Sequence, residues 1–233
     1  MSKDNIYNKK RDKQPFKFNQ EVAEVFDDMI ARSVPYYDDL QRLIVQMVGQ
    51  YYKSGTIVYD LGCSTGTSSL MLAKNIEGID IIAIDNSLEM IEEAKVKTGE
   101  YSNVKYVKED ISIMDFNQSS VILLSYVMQF IDVNKRIGLL SKIYNSLLPG
   151  GLLIMSEKIK FDNFNQEIIN LHEQFKRANK YSDLEIKQKR DALDNVLIPH
   201  TKDENIKLIK SAGFKRVEVF FQYLNFCGFM AVK

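Results

Sequence analysis

Between residues 57 and 157, short apolar runs alternate with longer amphipathic ones. IVYDL (57–61) precedes SSLMLAKNI (68–76), and DIIAID (80–85) precedes LEMIEEAKVKTG (88–99). NVKYVKED (103–110) and VILLSYV (121–127) follow, then RIGLLSKIYNSLL (136–148) and GLLIMSE (151–157). The short runs are strands, and those apolar throughout are buried on both faces. The longer segments carry their apolar residues at helical spacing. Strands that alternate with helices build βαβ units, whose crossovers cover both faces of a parallel sheet. This alternation leaves an α/β fold as the only economical arrangement.

The flanks complete the plan. Residues 20–53 read as helix, interrupted at Pro35 between EVAEVFDDMIARSV and YYDDLQRLIVQMVGQYY. Near the other end, TKDE (201–204) is a capping box that opens the helix ENIKLIKSA, and Gly213 supplies its stop. RVEVFFQYL (216–224) and FCGFMAVK (226–233) then sit back to back around Asn225, which predicts an antiparallel hairpin at the sheet edge. Five strands plus a hairpin give a Rossmann-like, mostly parallel seven-stranded sheet, the pattern of class I methyltransferase-like domains. The 233 residues suit one such domain over 20–233, with a helical insertion at 158–200. Residues 1–19, rich in Lys and Arg, are expected to form a flexible tail.

VYDLGCSTG (58–66) takes the first strand into a glycine turn and a helix. Gly62 lets the backbone approach a ligand, and Gly66 permits tight helix–strand packing. The dinucleotide fingerprint G-x-G-x-x-G is broken at Ser64 and lacks a third glycine, which disfavours a pyrophosphate, and no G-K-[ST] marks a P-loop. Asp85 closes the second strand about 20 residues on, where an acid accepts both ribose hydroxyls. It can also share a helix N-cap role with Asn86 and Ser87. Asp110, after the third strand, is placed to accept from an adenine amino group, with the Ile111 amide donating to the ring. All three features lie at carboxyl ends of successive strands, where open α/β sheets bind ligands. Together they point to S-adenosyl-L-methionine, and so to the S-adenosylmethionine-dependent members of this fold.

Other chemistries are poorly served. Cys63 and Cys227 have no metal spacing, and with only His172 and His200 a zinc site would lack ligands. Cys63 reads as a small turn residue, His172 as a half-buried histidine on the stripe Ile168, Leu171, Phe175, and His200 as a loop residue. The 31 basic and 31 acidic residues balance, which argues against direct nucleic-acid binding. No apolar run approaches a membrane span and the basic start lacks a signal-peptide core, so a cytoplasmic protein with free thiols is expected.

One stretch stands against the neutral balance. FKRANKYSDLEIKQKR (175–190) holds six Lys or Arg in sixteen residues. SDLE (182–185) is a capping box, so a helix starts near Asp183. Lys176, Lys180 and Lys187 suit a solvated face. Ile186, Arg190, Leu193 and Leu197 recur at helical spacing, which places Arg190 on the inward stripe. A guanidinium there stays charged and needs a partner, either a carboxylate of the protein or an anionic ligand.

AEVFDDMIARSVPYY (23–37), VYDLGCSTG, IIAIDNS (81–87), SEK (156–158), FKRANKYSDLEIKQKR and FFQYLNF (220–226) closely resemble the carboxy-S-adenosyl-L-methionine synthase family. The likeness runs from about residue 20 to the C-terminus, and the insertion motif is its specific part. That family makes the carboxymethyl donor for bacterial tRNA wobble uridine modification. The resemblance implies that a sulfonium ylide formed from S-adenosyl-L-methionine captures carbon dioxide released by prephenate, giving carboxy-S-adenosyl-L-methionine and phenylpyruvate. It implies that Gly62, Cys63 and Ser64 hold the amino-acid end, Asp85 and Asn86 the ribose, and Asp110 and Ile111 the adenine. Tyr37 would close over the site, and Arg190 would bind the new carboxylate, both as catalytic residues. Ser125 stands where the family usually has Asn and is carried over as a cofactor-binding position. A homodimer without metal is implied, as is a functional link to a tRNA carboxymethyltransferase that uses the product.

Two other readings share the cofactor. A methyltransferase acting on a small molecule or tRNA would need a nucleophilic acceptor, and nothing in the sequence marks one. A non-catalytic subunit of a tRNA-modifying complex would need a basic docking surface, which the balanced charge does not supply.

Overall fold

The computed structural model describes residues 2–233. Three helices come first, α1 (Gln20–Ala23), α2 (Phe26–Ser33) and α3 (Tyr37–Tyr51). The α2–α3 break falls at Pro35, whose missing N–H cannot continue a helix, and Tyr36 turns the chain with φ +54°. The alternating core follows as β1 (Ile57–Leu61), α4 (Thr67–Asn75), β2 (Asp80–Asp85), α5 (Leu88–Lys97), β3 (Val104–Lys108), β4 (Ser119–Ser125), α6 (Val133–Ser146) and β5 (Leu147–Lys158). The insertion contributes α7 (Asn165–Ala178) and α8 (Asp183–Leu193). Then come α9 (Lys202–Ser211) and the hairpin β6 (Arg216–Tyr223) and β7 (Phe226–Val232).

All seven strands form one sheet in the order β3-β2-β1-β4-β5-β7-β6. Strands β1 to β5 pair in parallel, and β7 lies antiparallel between β5 and β6. This is the expected mixed sheet, with the hairpin returning its second strand inward. One face buries Leu61, Ile122 and Leu124 against Leu139 and Ile143 of α6 and Ile209 of α9, and the other buries Val58, Ile81, Val121 and Leu123 against α3 and α4. Strand order reverses between β1 and β4, which leaves a crevice at their carboxyl ends.

Both predicted capping boxes are present. The Ser182 hydroxyl accepts from Glu185 N–H at 3.3 Å while Ser182 N–H donates back to Glu185 Oε2 at 2.7 Å. Thr201 and Glu204 repeat the exchange at α9, at 3.1 and 2.7 Å. Each box satisfies two N–H groups that a helix start would otherwise leave unpaired.

The segment ahead of α1 differs from the loose tail expected. Ile6 and Phe16 are buried, Phe16 N–H donates to Ala192 O at 2.8 Å, and the Gln188 amide of α8 donates to Tyr7 O and Lys9 O. Tyr181 OH donates to the buried carboxylate of Asp4. The basic residues suggested a solvated tail, but the few apolar ones dock it on the insertion. None of the described helices is long and apolar enough to cross a membrane.

Candidate active site

A cavity of about 610 Å³ opens at the reversal of strand order. At its floor, Gly62 adopts φ +71°, and a Cβ there would lie 2.5 Å from Val127 Cγ2. Only glycine brings the backbone that close. The N–H groups of Gly62 and Cys63 both donate to Ile84 O, pinning the turn to β2 at 2.7 and 2.9 Å. Gly66, at φ +76°, starts α4 where a Cβ would meet Tyr106 OH at 2.7 Å and Ala94 Cβ at 3.0 Å.

Asp85 joins two turns. Its Oδ2 accepts from Ser64 N–H at 2.8 Å and its Oδ1 from Ser87 N–H at 2.9 Å. Ser87 is the N-cap of α5, so Asp85 braces the cap from the strand side. Burial pushes its pKa up, and the backbone donors from Ser87, Ser64 and Asn86 oppose that shift. An ionised carboxylate has about four acceptor sites, so the bonds from Ser64 and Ser87 leave capacity for hydroxyl donors. Asp110 accepts from Ser112 N–H at 2.8 Å, which holds its carboxyl below the usual range. Ile111 is buried beside it.

Tyr37, Gly62, Cys63, Ser64, Asp85, Asn86, Asp110, Ile111 and Ser125 all line this one cavity. Burial holds the Tyr37 hydroxyl and the Cys63 thiol well above their ordinary pKa values, so both stay neutral and Cys63 is no thiolate nucleophile. Ser125 Oγ, at the carboxyl end of β4, is buried without a hydrogen-bond partner. A buried orphan hydroxyl on a cavity wall suits a polar ligand. The glycine floor, the free acceptor sites of Asp85 and this hydroxyl fit a nucleoside with an amino-acid arm.

Ser125→Asn is therefore expected to keep or tighten S-adenosyl-L-methionine binding with little change in melting temperature. Calorimetry beside a thermal melt checks this. A loss of roughly 1–3 kcal/mol in stability would mark a packed core position instead.

Arg190 is elsewhere. Its side chain is 55% exposed and pairs with Glu173 Oε1 at 2.5 Å on the outside of the insertion. The inward position belongs to Lys189, which is 8% exposed and lines the cavity. Residues three and four beyond Ile186 flank the same helical stripe, so spacing alone cannot choose between them. Glu173 on α7 draws the guanidinium outward. Lys176, expected on a solvated face, also lines the cavity, as does Lys158. Lys180 and Lys187 do not line it.

Sequence reasoning also passed over Asp27 of α2. Its carboxylate accepts from Lys97 Nζ and Thr65 Oγ1, each at 2.6 Å, and clamps α2 onto the glycine turn. No local signal marks it, because its partners lie 38 and 70 residues away. His172 is buried with Nε2 2.7 Å from Ser33 O, and burial and Lys176 drive its pKa down to about 2. It is a neutral wall residue of the cavity.

Sheet order, glycine turn and two strand-end acids define a domain of the S-adenosylmethionine-dependent methyltransferase type. A family model described as a methyltransferase domain matches residues 58–151. Human N-acetylserotonin methyltransferase in complex with SAM has the same fold, with a TM-score of 0.64 at 15% identity over 92% of this chain and 55% of that one. The N-methyltransferase NodS of Bradyrhizobium japonicum WM9 superposes with a TM-score of 0.59 at 12% identity, over 85% and 88% of the two chains. Kinship in sequence is narrower. Carboxy-S-adenosyl-L-methionine synthase of Nautilia profundicola is 43% identical over 99% of both chains, and that of Desulfotalea psychrophila is 41% identical over 99% of this chain and 97% of its own. The chain belongs to the carboxy-S-adenosyl-L-methionine synthase family.

Proposed function

We propose that the protein converts S-adenosyl-L-methionine and prephenate into carboxy-S-adenosyl-L-methionine and phenylpyruvate. The atoms balance. Prephenate gives up carbon dioxide, which becomes the new carboxylate, and hydroxide, which leaves with a methyl proton as water. The observation that carries this reading is that helices of the insertion wall the same cavity as the glycine turn and Asp85. Lys158, Lys176 and Lys189 line the cavity on that side, which suits an anionic co-substrate. On this reading the product serves 5-oxyacetyl uridine formation in tRNA through a separate carboxymethyltransferase, and the protein works as a cytoplasmic homodimer. The direct test is mass spectrometry after incubation with both substrates. Carboxy-S-adenosyl-L-methionine and phenylpyruvate should rise in equal amounts. Methyl transfer to an acceptor without either product would favour an ordinary methyltransferase.

Arg190 keeps its proposed role toward the new carboxylate, but from a second copy of the chain, because its guanidinium faces away from its own cavity. Mixed dimers of Asp85→Ala and Arg190→Met chains should then regain activity that each homodimer lacks. One site of the mixed dimer keeps its own Asp85 and receives the intact Arg190 from its neighbour. Mixed dimers as inactive as the parents would assign Arg190 to its own subunit or to structure alone.

A further inference from the structure

Lys158 from the end of β5, Lys176 from α7 and Lys189 from α8 converge on the insertion side of the cavity. Among the described residues, none of these ammonium groups forms an ion pair with a carboxylate. The acids whose charge reaches them are engaged elsewhere. Glu173 pairs with Arg177 and Arg190, Asp28 with Arg32, and Asp4 accepts from Tyr181. The one side-chain hydrogen bond of Lys189 goes to Ser33 Oγ at 3.4 Å, and its Nζ lies 5.8 Å from the centre of the Tyr181 ring.

Gathering one buried and two half-buried lysines without a counter-ion opposes folding. Their proton affinities register the cost. Burial, then the charges of Lys158 and Lys189, pulls Lys176 down to about 7, and burial pulls Lys189 to about 8 and lowers Lys158. Groups shifted by desolvation inside a cleft mark functional positions more often than structural ones. Lys189 in particular is more than nine-tenths buried and faces the cavity.

We propose that Lys158, Lys176 and Lys189 form the seat for the carboxylates of the second substrate, a dianionic dicarboxylate. The inference rests on the proposed function, which makes that substrate prephenate. Two carboxylates call for more than one cation, and the three lysines come from three elements, so they can meet groups several ångströms apart. Carboxylate is also the group gained by the product, so the test separates the two ligands.

Steady-state kinetics on the full chain should show Lys176→Met and Lys189→Met raising the KM for prephenate at least tenfold. S-adenosyl-L-methionine affinity should stay within about threefold, and Lys189→Arg should recover part of the loss. Melting temperatures of the Met variants should stay level or rise, since a desolvated charge is removed. A purely structural role would lower them. Prephenate KM values within twofold of wild type overturn the seat, as does weakened binding of carboxy-S-adenosyl-L-methionine with prephenate untouched. Equal weakening of both substrates with a lower melting temperature also overturns it. Failure of the wild type to form product from prephenate would instead defeat the functional reading, and the seat with it.

Discussion

Asp85→Ala is expected to weaken S-adenosyl-L-methionine binding by about 3 kcal/mol, on the order of 100-fold, through the loss of two charge-assisted bonds to ribose hydroxyls. The structure adds a second cost. Both carboxylate oxygens already accept backbone N–H groups, from Ser64 and Ser87, and alanine leaves those donors without an acceptor. An orphaned buried donor costs roughly 1–3 kcal/mol, so the variant should also melt earlier. Asp85→Asn is no rescue, because its amide can turn only one acceptor toward two donors. Calorimetry well below the variant's melting point isolates the binding loss. Undiminished affinity there would remove Asp85 from the ribose subsite.

The second large effect is expected at Gly62. Alanine would have to hold φ +71° and place its Cβ 2.5 Å from Val127 Cγ2. The left-handed backbone costs roughly 1–2 kcal/mol for a residue with a Cβ, and the displaced valine adds about 1–3 kcal/mol. Gly62→Ala should therefore lower the melting temperature by on the order of 10 °C and cut S-adenosyl-L-methionine affinity. Gly78 supplies the control, since it has a similar φ of +68° and a methyl group there would meet nothing within 4 Å. Gly78→Ala should show the backbone cost alone and leave binding intact. Equal effects of the two substitutions in both measurements would mean that close approach at Gly62 does not matter.

The sheet and the glycine-turn side of the cavity were legible because their signals are local. Strand runs, the glycine turn, and acids at strand ends sit within a few residues of the geometry they create. A βαβ repeat then carries each strand end to the same edge. The cavity residues named from the sequence, from Tyr37 to Ser125, accordingly line one space. The helices of the insertion were legible for the same reason, since a capping box such as Ser182–Glu185 is also local.

Its facing was another matter. A period of 3.6 residues lets Lys189 and Arg190 border the same stripe, and the partner helix decides which turns in. Glu173 sits on α7, 17 residues from Arg190, and its pull on the guanidinium has no counterpart in the sequence of α8. The same holds for residues 4–18, whose docking depends on Gln188, Tyr181 and Ala192, and for the Asp27 clamp on Lys97 and Thr65. The amino-acid order was enough to specify which elements form, how they alternate, and which strand-end residues meet in the cavity. Which cations enter the cavity, and which segment packs over the insertion, was set only when the chain closed on itself. Those choices are made by contacts between elements far apart in the chain, where periodicity carries no information.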